Sequence, residues 1–234
     1  NINREGEYMY KKFANNILLI GHQTRLTMLI ELSSGKALPA GELAKLANVK
    51  PQTASDHLSK LIEANLITVE KWGRHRYYKI TDEKVIDAIN ALAIISPSME
   101  SKSLKETTKK RKLSFMRTCY GHIAGKMGVK FTESLLEKGY MEDCEEYYKL
   151  TESGKAWLKC LGLETDNKLY SKPIIKHIDW TERKHHIAGP IALEITKKLF
   201  ELSWIQKCEI NRCLRITKKG EKSFKTHLDM NTNW

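Results

Sequence analysis

Two groups of side chains in this sequence have types and spacings that can do chemistry. The first lies between Val49 and Leu61, where Lys50, Gln52, Thr53, Ser55, Asp56, His57, Ser59 and Lys60 are all polar. Amides, hydroxyls and cations at the start of a helix are what a major-groove reader presents to base edges and phosphates. Just beyond, Lys71, Arg74, His75 and Arg76 surround Gly73, with Trp72, Tyr77 and Tyr78 beside them. A basic, aromatic tip of this kind suits clamping phosphates or probing a minor groove.

The second group is Cys119 and His122, with His177, His185 and His186 further along. Residues three apart share a face if the segment is helical. A soft thiolate with imidazoles suits zinc, copper or haem iron. A histidine ahead of an Ile-Ala-Gly helix start is equally a cap or a buried hydrogen-bonding residue, and the motif alone leaves both readings open. An apolar effector pocket lined by Tyr120, Tyr148, Trp157 and Trp180 is a competing use of this half, although such aromatics also build cores. Cys208 and Cys213 flank a hairpin tip and read as two solitary thiols, with a redox pair as the alternative.

The elements that must position the first group are legible from periodicity. Tyr10, Phe13, Ile17 and Ile20 mark an amphipathic helix over 7–20, and residues 23–33 continue helically. A short helix over 40–47 is followed by a tight turn. Pro51 then suits the first position of a helix over 51–64, where its missing N–H costs nothing. Ala54, Leu58, Leu61 and Ile62 form that helix's apolar stripe, and Asn65 tolerates the left-handed backbone of a stop. Strands over 66–70 and 75–80 flank the tip, and a helix over 82–95 closes the unit.

An internal repeat organises the second half. His122-Ile123-Ala124-Gly125 recurs as His186-Ile187-Ala188-Gly189, 64 residues later. Leu135-Leu136-Glu137 recurs as Leu199-Phe200-Glu201 in the same register, and a strand ending in Thr151 recurs before Thr217. Residues 20–81 fit the same template, so the chain reads as three helix-helix-hairpin units. Leu43 precedes Leu61 by 18 positions, but Ile123 precedes Leu135 by 12, as Ile187 precedes Leu199. The expectation is that the later units have helices too short and too apolar to enter a groove, and serve packing or ligand binding.

Bulk composition agrees with a nucleic-acid partner. The net charge is +12, and half of it sits in residues 101–120, with seven basic side chains and one acidic. The five cysteines are an odd count without a close-set framework, which suits reduced thiols in a cytoplasm. No apolar run approaches the ~20 residues of a membrane-spanning helix, and residues 1–4 have no signal-peptide layout. Gly125-Lys126 lacks the earlier glycine of a phosphate loop, and no nucleophile elbow or hydrolase metal motif appears, so catalysis is not expected.

Three segments carry a family resemblance: Gly41-Glu42-Leu43-Ala44, residues 52–61, and residues 73–78. Together they resemble the ArsR family of winged-helix repressors over about residues 20–95. The resemblance implies a homodimer formed by the first and last helices (about 7–20 and 82–95), a recognition helix at 51–64, and derepression by a small effector. Residues 119–125 and 179–189 resemble an extended subgroup of these regulators. The family's metal sensors carry a cysteine pair in the helix before the recognition helix, and residues 42–47 contain none. Their second site needs Asp and His ligands in the closing helix, where this chain has Asp82, Glu83 and Asp87 but no histidine. Sensing of arsenite, zinc or cadmium at those positions is therefore not expected.

The sequence reading is thus mainly α with small β-hairpins (α+β). A winged helix-turn-helix DNA-binding and dimerisation domain spans 1–96, and a basic linker or the start of a basic helix spans 97–112. An effector or assembly domain of two winged-helix-like repeats spans 113–234 (113–163 and 175–229). The expected function is sequence-specific binding of double-stranded DNA by a cytoplasmic homodimeric transcriptional repressor. The alternative is a winged-helix protein-interaction module with the C-terminal repeats as docking surface. The expected DNA contacts are Lys50, Gln52, Thr53, Ser55, Asp56, His57, Lys60, Lys71, Arg74, His75, Arg76 and Tyr77. The expected effector or metal residues are Cys119, His122, His177, His185 and His186. No cofactor is certain; a metal or a small apolar effector is compatible.

Overall fold

A computed structural model describes residues 4–73, 75–96 and 104–232 of the chain. Contacts divide the chain into two units, Asn1–Ile89 and Asn90–Trp234.

The first unit runs α1 (Arg4–Ile20), α2 (Gln23–Leu32), β1 (Leu38–Pro39), α3 (Ala40–Leu46), α4 (Pro51–Glu63), β2 (Ile67–Trp72) and β3 (His75–Ile80). The helix α5 (Lys84–Ile95) carries the chain across the division. Local chemistry accounts for the helix-turn-helix. Asn48 adopts φ 52° between α3 and α4, a left-handed conformation that Asn tolerates better than most residues. Val49 N–H there donates to the Ala44 carbonyl at 3.0 Å. Pro51 starts α4. Asn65, at φ 56°, ends it, while Leu66 N–H donates back to the Leu61 carbonyl at 2.9 Å. Met28, Leu29, Leu32, Leu43, Leu58, Leu61, Ile67 and Ile80 are buried. The sheet has order β1-β3-β2, with Leu38 opposite Tyr78. Strand β1 is two residues long, too short for its period to show in sequence.

The apolar stripe of α1 is not covered by this unit. Ile20 is buried, but Tyr10, Phe13 and Ile17 are 62%, 63% and 45% exposed.

The second unit opens with a helix, α6 (Leu104–Phe115), over part of the segment read as linker or basic helix; residues 97–103 lie outside the described residues. Next come β4 (Arg117–Cys119), β5 (His122–Ala124), α7 (Lys126–Glu137), β6 (Met141–Asp143), β7 (Tyr147–Leu150) and α8 (Glu152–Cys160). After a 3-10 turn at Lys168–Ser171, the order returns as β8 (Ile174–Ile178), β9 (His185–Ala188), α9 (Gly189–Glu201), β10 (Ile205–Lys207), β11 (Leu214–Ile216) and α10 (Lys218–Leu228).

Each run is therefore hairpin, helix, hairpin, helix, which corrects the helix-helix-hairpin expectation. The helices are not short: α7 has 12 residues and α9 has 13, as α4 does. What the closer spacing removes is the preceding helix, whose place a hairpin takes. In the first run its turn is Tyr120-Gly121, with φ 50° and 97° at the two residues. Positive φ at both central positions matches the right-handed twist of the flanking strands.

The two runs exchange strands. Strands β6-β7-β8-β9 form one sheet, with Tyr148 opposite Ile174. In the reciprocal place, Arg117 bridges Cys213, Thr118 N–H donates to the Arg212 carbonyl at 2.8 Å, and Leu214 N–H donates to the Met116 carbonyl at 3.1 Å. Each run's second hairpin thus meets the other run's first. One core serves both, with Phe131 edge-on to Phe224 at 6.1 Å and Trp204 edge-on to Phe224 at 5.1 Å.

Candidate nucleic-acid interface

Helix α4 buries Ala54, Leu58 and Leu61 and turns its other faces to solvent. Gln52, Thr53, Ser55, Asp56, Ser59 and Lys60 are exposed, and so is Lys50 immediately before the helix. These are one amide, three hydroxyls, one carboxylate and two ammonium groups on a rigid 13-residue rod. An amide reaches adenine, a hydroxyl reaches either kind of base, and a carboxylate accepts from cytosine. Lysines at the ends meet phosphates.

His57 is placed differently from its neighbours. It is half-buried, its ring 4.6 Å from that of His22, and its Nδ1 is 3.5 Å from Arg25 Nη1. Burial, and then the charges of His22 and Arg25, pull its pKa below the ordinary histidine value. Arg25 also donates from Nε to the Leu19 carbonyl at 2.7 Å and from Nη2 to the Leu18 carbonyl at 3.0 Å. Arg25 thus lies between His57 on α4 and the carbonyls at the end of α1. Apolar spacing picked out Ala54, Leu58 and Leu61 but also Ile62, which is 37% exposed because it turns past the edge of the buried stripe, and it did not show that His57 meets His22 and Arg25.

The hairpin β2–β3 projects beside α4. Trp72 pairs with His75, Lys71 with Arg76 and Glu70 with Tyr77. Lys71, His75 and Arg76 are exposed, Tyr77 is half-buried, and Trp72 is 71% exposed. Gly73 takes φ 60° at the turn. Arg74 lies outside the described residues. Lys79 is paired with Glu70, whereas Lys71 and Arg76 have no ion-pair partner among the described residues. Opposed cations on one strand face repel each other unless an anion lies between them.

The remaining candidates separate. Cys119, His122, His177 and His186 are buried and lie together in the second unit, whereas His185 is exposed. Neighbouring strand residues point to opposite faces, which is why adjacent histidines part company. Cys119 and His122 are opposed across β4–β5 rather than stacked on a helix, a correction to the helical expectation. Burial holds His122 well below the ordinary histidine value and His186 at about 3. Tyr148 and Trp157 belong to the core, and Trp180 lies under the Arg117 guanidinium at 5.0 Å. Among the described residues no helix is long and apolar enough to cross a membrane.

The sequence is similar to those of known proteins. The helix-turn-helix domain family matches residues 20–70. Over 214 residues the chain is 41% identical to the HTH-type transcriptional regulator YdfF of Bacillus subtilis (strain 168), covering 91% of this chain and 95% of that one. It is 31% identical over 77 residues to the arsenical resistance operon repressor of the same organism, covering 33% of this chain and 73% of that one. Among solved structures, NolR from Sinorhizobium fredii is 23% identical with a TM-score of 0.39, covering 42% of this chain and 98% of that one. The homodimeric winged helix-turn-helix domain of Mb0332 from Mycobacterium bovis is 19% identical with a TM-score of 0.37, covering 40% and 85%.

Proposed function

We propose a docking geometry and a control scheme for this chain, which belongs to the ArsR-type winged helix-turn-helix transcriptional regulators. It is a DNA-binding regulator of transcription. In our reading α4 enters the major groove with Gln52, Thr53, Ser55 and Asp56 toward base edges. Lys50, Lys60, Lys71 and Arg76 hold flanking phosphates, and His75 and Tyr77 steady the hairpin against the backbone. The observation that carries this is the division of α4, with three apolar residues buried and the polar ones exposed.

The chain acts as a homodimer in this scheme. Met9, Tyr10, Phe13, Ile17 and Leu18 are exposed on α1, and an apolar stripe of that size at helical spacing supports a second copy as its cover. A two-fold pair of reading helices then sets the half-site spacing of the operator. The protein represses, carries no catalytic step, and works in the cytoplasm, with the unit beyond Ile89 receiving a small effector.

Gel shifts on the DNA upstream of the protein's own gene, at rising salt, test the scheme. Log affinity should fall by about 0.9 per neutralised phosphate per log unit of salt. Gln52→Ala and Ser55→Ala should each erode discrimination by ~1–3 kcal/mol, while Lys71→Ala and Arg76→Ala weaken all sequences alike. A flat salt response, or undiminished discrimination in the α4 variants, would sink it.

A further inference from the structure

The side chains of Cys119, His122, His177 and His186 converge in the second unit. One nitrogen or sulfur from each lies within 4.8 Å of all the others. They come from two hairpins, as two opposed pairs: Cys119 faces His122 across β4–β5, and His177 faces His186 across β8–β9. Directly opposed residues on antiparallel strands project to the same side. Each hairpin therefore offers two donors to the space between them. All four residues are buried, at 3%, 0%, 2% and 1% exposure.

The hairpins are held in this relation by other bonds. Arg117, two residues before Cys119, donates from Nη2 to Asp179 Oδ2 at 2.8 Å, and the same oxygen accepts from Gly125 N–H at 2.7 Å. Thr132 Oγ1 on α7 accepts from Ile187 N–H at 3.0 Å. The donors are thus preorganised by groups that are not themselves donors.

Two of the imidazoles meet nitrogen to nitrogen. His122 Nε2 and His186 Nε2 are 3.2 Å apart. A neutral imidazole has one N–H and one lone pair. If either ring donates across this gap, the other must carry its proton on Nδ1. The Nδ1 atoms of His122 and His186 are both buried without a hydrogen-bond partner. An ion bound to the two Nε2 atoms would likewise leave both protons on Nδ1, so the tautomers do not separate the two arrangements and the separation of the nitrogens does. Two nitrogens bound to one tetrahedral zinc at 2.0–2.1 Å sit about 3.3 Å apart, close to the observed separation. A thiolate and a nitrogen on the same ion sit about 3.6 Å apart, so the longest separation closes by side-chain movement on the order of an ångström.

We propose that Cys119, His122, His177 and His186 form a closed, four-coordinate site for a borderline divalent metal ion of the zinc class, pinning the β4–β5 hairpin to the β8–β9 hairpin. One thiolate and three imidazoles match that ion's preference for sulfur and nitrogen, and four protein donors leave no position for water or substrate. Binding exchanges the Cys119 thiol proton for the ion and releases one proton to solvent. None of the four belongs to α4 or the β2–β3 hairpin, so the proposal does not rest on the DNA-docking scheme.

The full chain, stripped with a chelator and titrated with Co²⁺ and then Zn²⁺, provides the test. One equivalent should bind, with the intense visible absorption of tetrahedral Co²⁺ and a sulfur-to-cobalt charge-transfer band, both erased by Zn²⁺. Cys119→Ser should abolish the charge-transfer band. His186→Gln should weaken Co²⁺ binding by more than the ~10–100-fold that loss of an outer partner costs. His185→Gln, next in sequence but exposed, should bind as the wild type does. The wild-type spectrum needs no variant to fold. Sub-stoichiometric binding, a pale octahedral spectrum, a charge-transfer band that survives Cys119→Ser, or equal damage from His185→Gln would each overturn the proposal.

Discussion

Replacing Asp179 by alanine should unfold the second unit far more easily than its single lost side chain implies. The carboxylate is 1% exposed and accepts five hydrogen bonds. Oδ2 takes Arg117 Nη2 at 2.8 Å and Gly125 N–H at 2.7 Å. Oδ1 takes Thr181 N–H at 2.9 Å, Thr181 Oγ1 at 2.6 Å and Glu182 N–H at 3.2 Å. Without it the Arg117 guanidinium, whose side chain is 2% exposed, keeps among the described residues the Leu113 carbonyl at 3.1 Å, Thr181 Oγ1 at 3.3 Å and the Trp180 ring at 5.0 Å, none of them charged. An uncompensated buried charge of this kind costs ~3–5 kcal/mol. At roughly 2–4 °C per kcal/mol for a chain of this size, the melting temperature should fall on the order of 10 °C. Urea unfolding followed by tryptophan fluorescence reads the effect, since Trp157 and Trp204 are buried in this unit. The double variant Arg117→Met with Asp179→Ala removes both charges and should recover about half the loss or more. A loss under ~1 kcal/mol for Asp179→Ala, or a double variant no better than the single one, would refute the reasoning.

Two further outcomes are expected from the same measurement. A β-carbon on Gly220 would lie 1.9 Å from the Trp204 carbonyl oxygen, whereas one on Gly41 meets nothing within 4 Å. Gly220→Ala should therefore lose at least the ~1–3 kcal/mol of ordinary overpacking, while Gly41→Ala in α3 gains ~0.5–1 kcal/mol; equal effects would contradict the packing. Burial, and then Asp87 and Asp82, raise the pKa of Glu83 above the ordinary carboxyl value. The folded state thus favours its protonated form, and that contribution, full at low pH, is lost as pH rises through the folded value. Glu83→Gln should stabilise the protein at neutral pH relative to wild type, with the gain vanishing well below pH ~4; a gain independent of pH would rule this out.

Much of the DNA-reading unit was legible in sequence because its determinants are local. Pro51, Asn65, the α4 stripe and the alternation around Gly73 act within a few residues of themselves, and the elements fall where that spacing puts them. The same reasoning misjudged the second unit. Twelve residues between two leucine-rich positions read as a shortened helix, when the missing residues were a whole helix exchanged for the β4–β5 hairpin; the Tyr120-Gly121 turn was the signal available for it.

Periodicity also marked a face on α1 without saying what covers it, and Tyr10, Phe13 and Ile17 prove to be outside this unit's own core. The sequence by itself determined which residues have chemistry to offer: a polar helix face, a basic hairpin tip, a thiol and several imidazoles. Only the tertiary structure decided that His186 joins Cys119, His122 and His177 while His185 does not, and that His57 lies against His22 and Arg25. The physical reason is the same in both cases. A helix stripe or a turn is set by torsions of adjacent residues, but a cluster drawn from strands 55 and more residues apart exists only once long-range strand exchange has folded them together.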